Sequence, residues 1–258
     1  MPVTDLDILT DAARQAGAIA SSFFNRDPEI WHKADNAGPV TEADLAVDKY
    51  LRETLTVARP SYGWLSEETE DSDARLTTEA QFIVDPIDGT RAFIDGSKDW
   101  ALSLAIVQQG AVSAAAVYVP ERDQMFTARA GEGAALNGSA IRVAAAPDLD
   151  SARILAARPN YDPHHWKPEH TPKAHRSFRS SLAYRLCLVA QGSYDVMLSL
   201  RPTWEWDIAA GALIVTEAGG SVTDRTGAPL RFNNPHPQTD GIIAANAALH
   251  AQITERLV

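Results

Sequence analysis

The sequence predicts an α+β fold, and three observations predict it. Near the N-terminus apolar residues recur at helical spacing. A central block breaks into short apolar segments parted by Gly, Asn or Pro. After a polar connection, helix-like and strand-like runs are mixed again. At 258 residues, 45% of them apolar, the chain suits one large domain or two closely packed ones, with a sizeable core.

The elements follow in order. Leu6, Leu9, Ala13, Ala16, Ala20 and Phe23 are spaced by three and four, so residues 6–24 form a helix with one buried face. "NRDPEIWHKADNAGP" is a polar loop. "TEADLAVDKYLRETL" is a second helix, capped by Thr41, with Asp44 three residues later where a carboxylate meets free N–H groups. "YGWLS" is a short strand ending at Glu67-Glu68, and "TEDSDARLTTE" a charged loop. "QFIVD" is a buried strand, and "TRAF" starts a turn or short helix. "WALSLAIVQQG", "VSAAAVYVP", "QMFTARAG" and "GAALNGSAIRVA" build a mostly antiparallel sheet.

Residues 148–180 hold one short strand and a polar, Pro- and His-rich connection, the best candidate boundary. This divides the chain into an N-terminal α+β subdomain, 1–147, and a C-terminal α/β subdomain, 148–258. Beyond the connection "SLAYRLCLVAQG" is a helix and "YDVMLSL" a strand. "DIAAGALIVTEAGG" is a helix of small residues stopped by Gly219-Gly220, and a last strand and helix close the chain.

Composition narrows the function. Against 23 bases stand 34 acids, for a net charge of −11, and a large nucleic-acid surface needs the opposite balance. The N-terminus does not read as a signal peptide, and no apolar run reaches the roughly 20 residues that cross a bilayer. A soluble cytoplasmic protein without a membrane partner is the expectation. Cys187 is the single cysteine, so no disulfide forms within the chain; in "LCLVA" it reads as an inert core thiol.

Three acidic clusters carry the chemistry. In "FIVDPIDGTRAF" an apolar strand runs into Asp85 and Asp88, with Pro86 fixing φ and Gly89 permitting a tight bend. Two carboxylates facing one point repel, and a divalent cation relieves that. Oxygen ligands suit magnesium, manganese or calcium rather than zinc. By itself the stretch reads equally well as a solvated turn. Glu67 and Glu68 follow another strand end, and Asp207 opens a helix in "WEWDIAAG", where it is either a helix cap or a third contributor to a shared metal site.

"DPIDGTRAF", the upstream "SEE" and "PVTEAD", and the downstream "WDIAAG…EAGG" together resemble the motifs of the inositol monophosphatase superfamily, across about residues 6–246. The resemblance implies a layered αβαβα sugar-phosphatase-like fold, with magnesium at the junction of two subdomains. Most ligands would come from the first and Asp207 from the second. It implies that Glu67, Asp85 and the Ile87 carbonyl hold one Mg2+, and Asp85, Asp88 and Asp207 a second. Glu68 would be an accessory acid linked to a third, weaker ion, with Mn2+ able to substitute. It also implies that Glu67 and Thr90, with Asp44 as the partner of Thr90, position the attacking water as the catalytic residues, and that the Gly89 and Thr90 N–H groups cradle phosphate. Lithium inhibition and homodimerisation are further implications. The activity implied is hydrolysis of a small phosphorylated metabolite, with no phosphoenzyme.

Three substrate classes compete. Inositol enzymes of this superfamily usually carry a glutamate seven residues before the WD aspartate; here Leu200 stands there, with Arg201 next. "SLAYRLCLVAQG" and "RPTWEWD" resemble bacterial 3′(2′),5′-bisphosphate nucleotidases, which act on 3′-phosphoadenosine 5′-phosphate. "DGTRAF" is also seen in histidinol-phosphatase relatives. Lys33 stands where family members often carry a lysine and either meets a phosphate or is simply exposed; Arg201 either pairs with a second phosphate or forms a surface salt bridge; Ser181 and Leu182 occupy the place that lines the leaving-group pocket in relatives. A non-catalytic binder of a phosphorylated metabolite is the rival outside enzymology. Trp204 and Trp206 either stack a ring of the leaving group or pack. His164, His165 and His170 lack a closed zinc pattern and read as a flexible polar loop.

Overall fold

The structure, a computed structural model, describes residues 3–26, 28–32 and 38–258. Lys33 lies outside the described residues.

Helix α1 (Asp5–Phe23) starts at a Thr4–Asp7 capping box and α2 (Glu42–Ala58) at a Thr41–Asp44 one. Each box satisfies N–H groups that a helix start leaves without partners. The segment between them, expected to be only a polar loop, contains two short antiparallel strands, β1 (Ile30–His32) and β2 (Pro39–Thr41). Next come β3 (Gly63–Ser66), β4 (Ala80–Asp88), α3 (Thr90–Ile94), β5 (Ala101–Gln108) and β6 (Ala111–Val119). β7 (Gln124–Arg129), β8 (Gly133–Leu136) and β9 (Ser139–Ala140) complete a seven-stranded sheet in the order β3 to β9. Only the β3–β4 pair is parallel.

The second half gives β10 (Ile154–Ala156), β11 (Arg176–Ser177), α4 (Leu182–Ala190), β12 (Val196–Ser199), β13 (Thr203–Trp204) and α5 (Glu205–Glu217). β14 (Ser221–Thr223), β15 (Gln238–Thr239), β16 (Ile242–Ala245) and α6 (Ala247–Arg256) follow. Its five-stranded sheet runs β11-β10-β12-β16-β14.

Strand alternation sorts the core into layers. On β4, Phe82 and Val84 face α1 and α2, joining Leu9, Leu51 and Leu55. Ile83 faces the other way, toward α4 and α5. On the second sheet Met197 and Ala244 face those same two helices, while Val196, Leu198 and Ile243 meet Leu249 and Ile253 of α6. The result is a helix–sheet–helix–sheet–helix stack, as the α+β layered expectation requires. Each fully buried Leu contributes about 1.5–3 kcal/mol relative to an exposed one.

Helix α5 lies between both sheets, so it has no solvent stripe, and its small residues let neighbours close in. A Cβ on Gly211 would stand 2.7 Å from Leu186 Cβ.

Two loops are more ordered than their composition suggests. The charged stretch after β3 contains a 3-10 turn, Asp73–Thr77, whose Arg75 is buried against Asp71, Asn233 and the Asn234 carbonyl. The His-rich connection, expected to be flexible, is anchored by buried Trp166. That indole donates to the Asn160 carbonyl at 2.9 Å. No helix among the described residues is long and apolar enough to cross a membrane.

Candidate metal centre

The spacing of Asp85 and Asp88 poses a geometric problem. Three residues apart on a regular strand, they would point to opposite faces. The β4–β5 register removes it: Asp85 pairs with Ser103 and Asp88 with Ala101, so three steps on β4 match two on β5. The extra residue is a β-bulge at Pro86-Ile87, and it turns both carboxylates to one side. Pro86 fits there because it has no N–H for the ladder.

Asp207 arrives from the other half. It is the third residue of α5, whose cap is Trp204, so the reading of Asp207 as the cap itself is corrected. The first turn of α5 is tied to the large sheet by the Ser103 hydroxyl, which donates to the Trp206 carbonyl at 2.9 Å. Carboxylate oxygens of Asp85, Asp88 and Asp207 thereby lie within 4.8 Å of one another. Oxygens shared by one Mg2+ stand at most about 4.2 Å apart, at about 2.1 Å from the ion.

The electrostatics are those of a site built for a cation. Burial is the main force raising the pKa of Asp85, Asp88 and Asp207. Mutual repulsion adds to it at Asp85 and Asp207, with Glu67 contributing to both. Asp88 rises only to about 6, because the Ser181 hydroxyl and the first N–H groups of α4 favour its anion. Those donors are Ser181 Oγ and the Ala183 N–H, both at 2.6 Å. Among the described residues Asp85 Oδ1 is buried with no hydrogen-bond partner, an orphan that a metal ion would satisfy. An all-oxygen set with an unpartnered buried carboxylate oxygen fits a hard divalent ion.

Beside this cluster lies a second arrangement. Gly89 takes φ +97° and caps α3, and the Thr90 hydroxyl stands 3.2 Å from both Asp44 Oδ1 and the Ile87 carbonyl. Asp44 Oδ2 accepts the Thr41 N–H at 2.8 Å and its hydroxyl at 2.6 Å. Burial, reinforced by Glu67, raises Asp44 to about 6 even against these donors. Glu67 and Glu68 follow β3, and both are half-buried.

Of the substrate contacts expected, Ser181 caps α4 and bonds Asp88, while Leu182 is buried in the core. Leu200 is buried under the second sheet, whereas Arg201 is exposed and makes no ion pair among the described residues. Trp204 and Trp206 stack on each other at 4.6 Å, and His236 lies 5.4 Å from Trp204, which favours packing. Cys187 is buried, as expected, and burial pushes its thiol pKa up.

Sequence reasoning missed Arg185. Its guanidinium is buried and donates to the Arg179 and Ser180 carbonyls. Desolvation lowers it to about 10, while the Asp88 and Asp207 charges support its cationic form. An arginine inside the apolar run "LAYRLCLVA" was the signal.

Comparison with known proteins gives concordant matches. The model of the inositol monophosphatase family matches residues 2–258. "Inositol monophosphatase 2" of Solanum lycopersicum is 34% identical over 86% of this chain and 88% of its own. "Inositol-1-monophosphatase" of Rhizobium meliloti is 33% identical over 86% of each. "Nus factor SuhB" of Escherichia coli is 32% identical over 93% and 91%. Among solved structures, the extragenic suppressor protein suhB from Bartonella henselae superposes with a TM-score of 0.82, at 30% identity, over 96% of each chain. An IMPase from Thermotoga maritima does so with 0.83, at 26%, over 97% and 95%.

Proposed function

The chain belongs to the inositol monophosphatase family and is a metal-dependent phosphatase, and from that premise we propose that it is a magnesium-dependent 3′(2′),5′-bisphosphate nucleotidase. One observation carries the choice of substrate class: Arg201, exposed and without an ion pair among the described residues, adds a positive charge that favours the Asp207 anion and opposes that of the Arg185 guanidinium. A second anionic group on the substrate, such as a 5′-phosphate, would complement that charge. The buried Leu200 offers no carboxylate for polyol hydroxyls.

Asp85, Asp88, Asp207, Glu67 and the Ile87 carbonyl would hold the metal, with Mn2+ able to replace Mg2+. Bound there, the ion supplies Lewis-acid activation of water and charge neutralisation at the phosphoryl group. The remaining work falls to the chain. Thr90 Oγ, donating its proton to Asp44, would accept a hydrogen bond from the attacking water and aim a lone pair at phosphorus. Asp44 is anionic above about pH 6 and therefore fit to receive that proton. Gly89, lacking a side chain, lets the backbone approach the phosphoryl oxygens. Water attacks phosphorus and the bond to the ester oxygen breaks; the proton the water sheds passes by way of Thr90 to Asp44, and the leaving oxygen takes a proton from solvent.

The names of the relatives favour a second reading, inositol-1-monophosphatase. The test compares kcat/KM on 3′-phosphoadenosine 5′-phosphate, myo-inositol 1-phosphate, histidinol phosphate and fructose 1,6-bisphosphate. We expect the bisphosphonucleotide to lead, with turnover requiring magnesium, yielding to lithium and vanishing in Asp85→Asn. Preference for inositol 1-phosphate would establish the second reading instead.

A further inference from the structure

Helix α2 carries two buried carboxylates one turn apart, Asp44 and Asp48, at 1% and 8% exposure. Asp44 serves Thr90. Asp48 reaches a different loop: its Oδ1 accepts the Ser66 hydroxyl and its Oδ2 accepts the Thr69 hydroxyl at 2.7 Å. Ser66 and Thr69 are the residues on either side of Glu67-Glu68. No lysine or arginine pairs with Asp48 among the described residues. Burying a carboxylate without a cation is costly, and its hydrogen bonds must offset that.

The direction of each proton is fixed by a second partner. Thr69 Oγ1 accepts from the Trp64 indole at 3.2 Å, and Ser66 Oγ accepts from the Glu68 N–H at 3.4 Å. Each hydroxyl, occupied as an acceptor, has its proton to give, and both give it to Asp48. Only an acceptor-only group takes two such protons at once. An amide would put an NH2 in place of one acceptor oxygen, so one of the two hydroxyl protons would lose its present acceptor.

We propose that Asp48 is a positioning residue that clamps both ends of the Glu67-Glu68 segment, holding the Glu67 carboxylate toward Asp85. The inference rests on the reading of Glu67 as a metal ligand given above. It is tested on the metal-free full chain, without substrate, by titrating Mn2+ and following free ion by electron paramagnetic resonance. Asp48→Asn should weaken Mn2+ binding by about 10- to 100-fold, the range for partners that orient metal ligands. Asp48→Glu, still acceptor-only, should recover part of it. Ser66→Ala combined with Thr69→Val opens the same clamp from the loop side. It should reproduce the loss and serves if the Asp48 variants do not fold. Wild-type Mn2+ affinity in folded Asp48→Asn, or in the double variant, overturns the clamp. Glu67→Gln separates the two readings: if it leaves Mn2+ affinity unchanged, the Glu67 assignment fails and the clamp loses its purpose.

Discussion

The Ser181 hydroxyl donates to Asp88 Oδ2 at 2.6 Å across 93 residues of sequence, and the same oxygen caps the start of α4 through the Tyr184 N–H at 2.9 Å. One side chain thus fixes a helix and a candidate metal ligand together. Ser181→Ala should lose about 1 kcal/mol of capping. It should also weaken metal binding by about 10-fold or more, because an orienting donor is gone. Ser181→Thr should retain most of both. Thermal unfolding with and without Mg2+, set beside Mn2+ titration, separates the two effects.

The raised carboxylate pKa values fix the sign of a pH effect. Asp88 titrates at about 6 in the folded, metal-free chain, against about 4 in an unfolded one. A proton held more tightly by the folded state stabilises it fully below about pH 4, and that contribution fades as pH rises through about 6. Asp85 and Asp207 shift in the same direction, chiefly through burial, so their contributions have the same sign. Metal competes with those protons. The metal-free chain should therefore lose this part of its stability between about pH 4 and pH 7. The Tm gain from millimolar Mg2+ should be small near pH 5 and grow toward pH 8. A gain independent of pH would contradict the shared carboxylate site.

Gly89 is required by its conformation and its neighbours. At φ +97°, a Cβ would be strained and would stand 3.2 Å from both the Asp99 carbonyl and the Ser181 nitrogen. Both are backbone atoms, which cannot swing aside. Gly89→Ala should cost about 1–3 kcal/mol and lower kcat/KM by disturbing Thr90 beside it. Chemical denaturation and steady-state kinetics on one preparation would check both.

The local signals in the sequence were legible and the long-range ones were not. Thr41 and Asp44 announce a capping box three residues apart, and the structure forms it. Pro86 and Gly89 announce a bend after β4. They do not reveal that the strand continues to Asp88 through a bulge, since a bulge is counted against β5. Asp48, Arg185 and Glu205 were passed over because each takes its meaning from distant partners. Asp48 answers Ser66 and Thr69, Arg185 answers the Ser180 carbonyl, and buried Glu205 answers the Asn233 and Asn234 N–H groups at 2.6 and 3.0 Å. A buried charge inside an apolar run is visible in sequence, but its partner is not.

Arg201 supplies the sharpest test of substrate class. It is exposed and makes no ion pair among the described residues, so its removal disturbs no ion pair among them. Replacing it should therefore change stability by no more than about 0.5 kcal/mol. Its charge also favours the Asp207 anion, but it should matter most for substrates with a second anion. Arg201→Ala should raise KM for 3′-phosphoadenosine 5′-phosphate by about 10-fold or more, the loss of one charge-assisted contact at about 1.5–3 kcal/mol. Its effect on inositol 1-phosphate, which has a single phosphate, should be less than about 3-fold. Arg201→Glu should deepen the first loss by repelling the second phosphate, and should also raise the Mg2+ needed for half-maximal activity, since the charge that favours the Asp207 anion is reversed. Equal losses on both substrates would mean that Arg201 acts on the phosphoryl group being transferred, and the preference for a bisphosphorylated substrate would have to be abandoned.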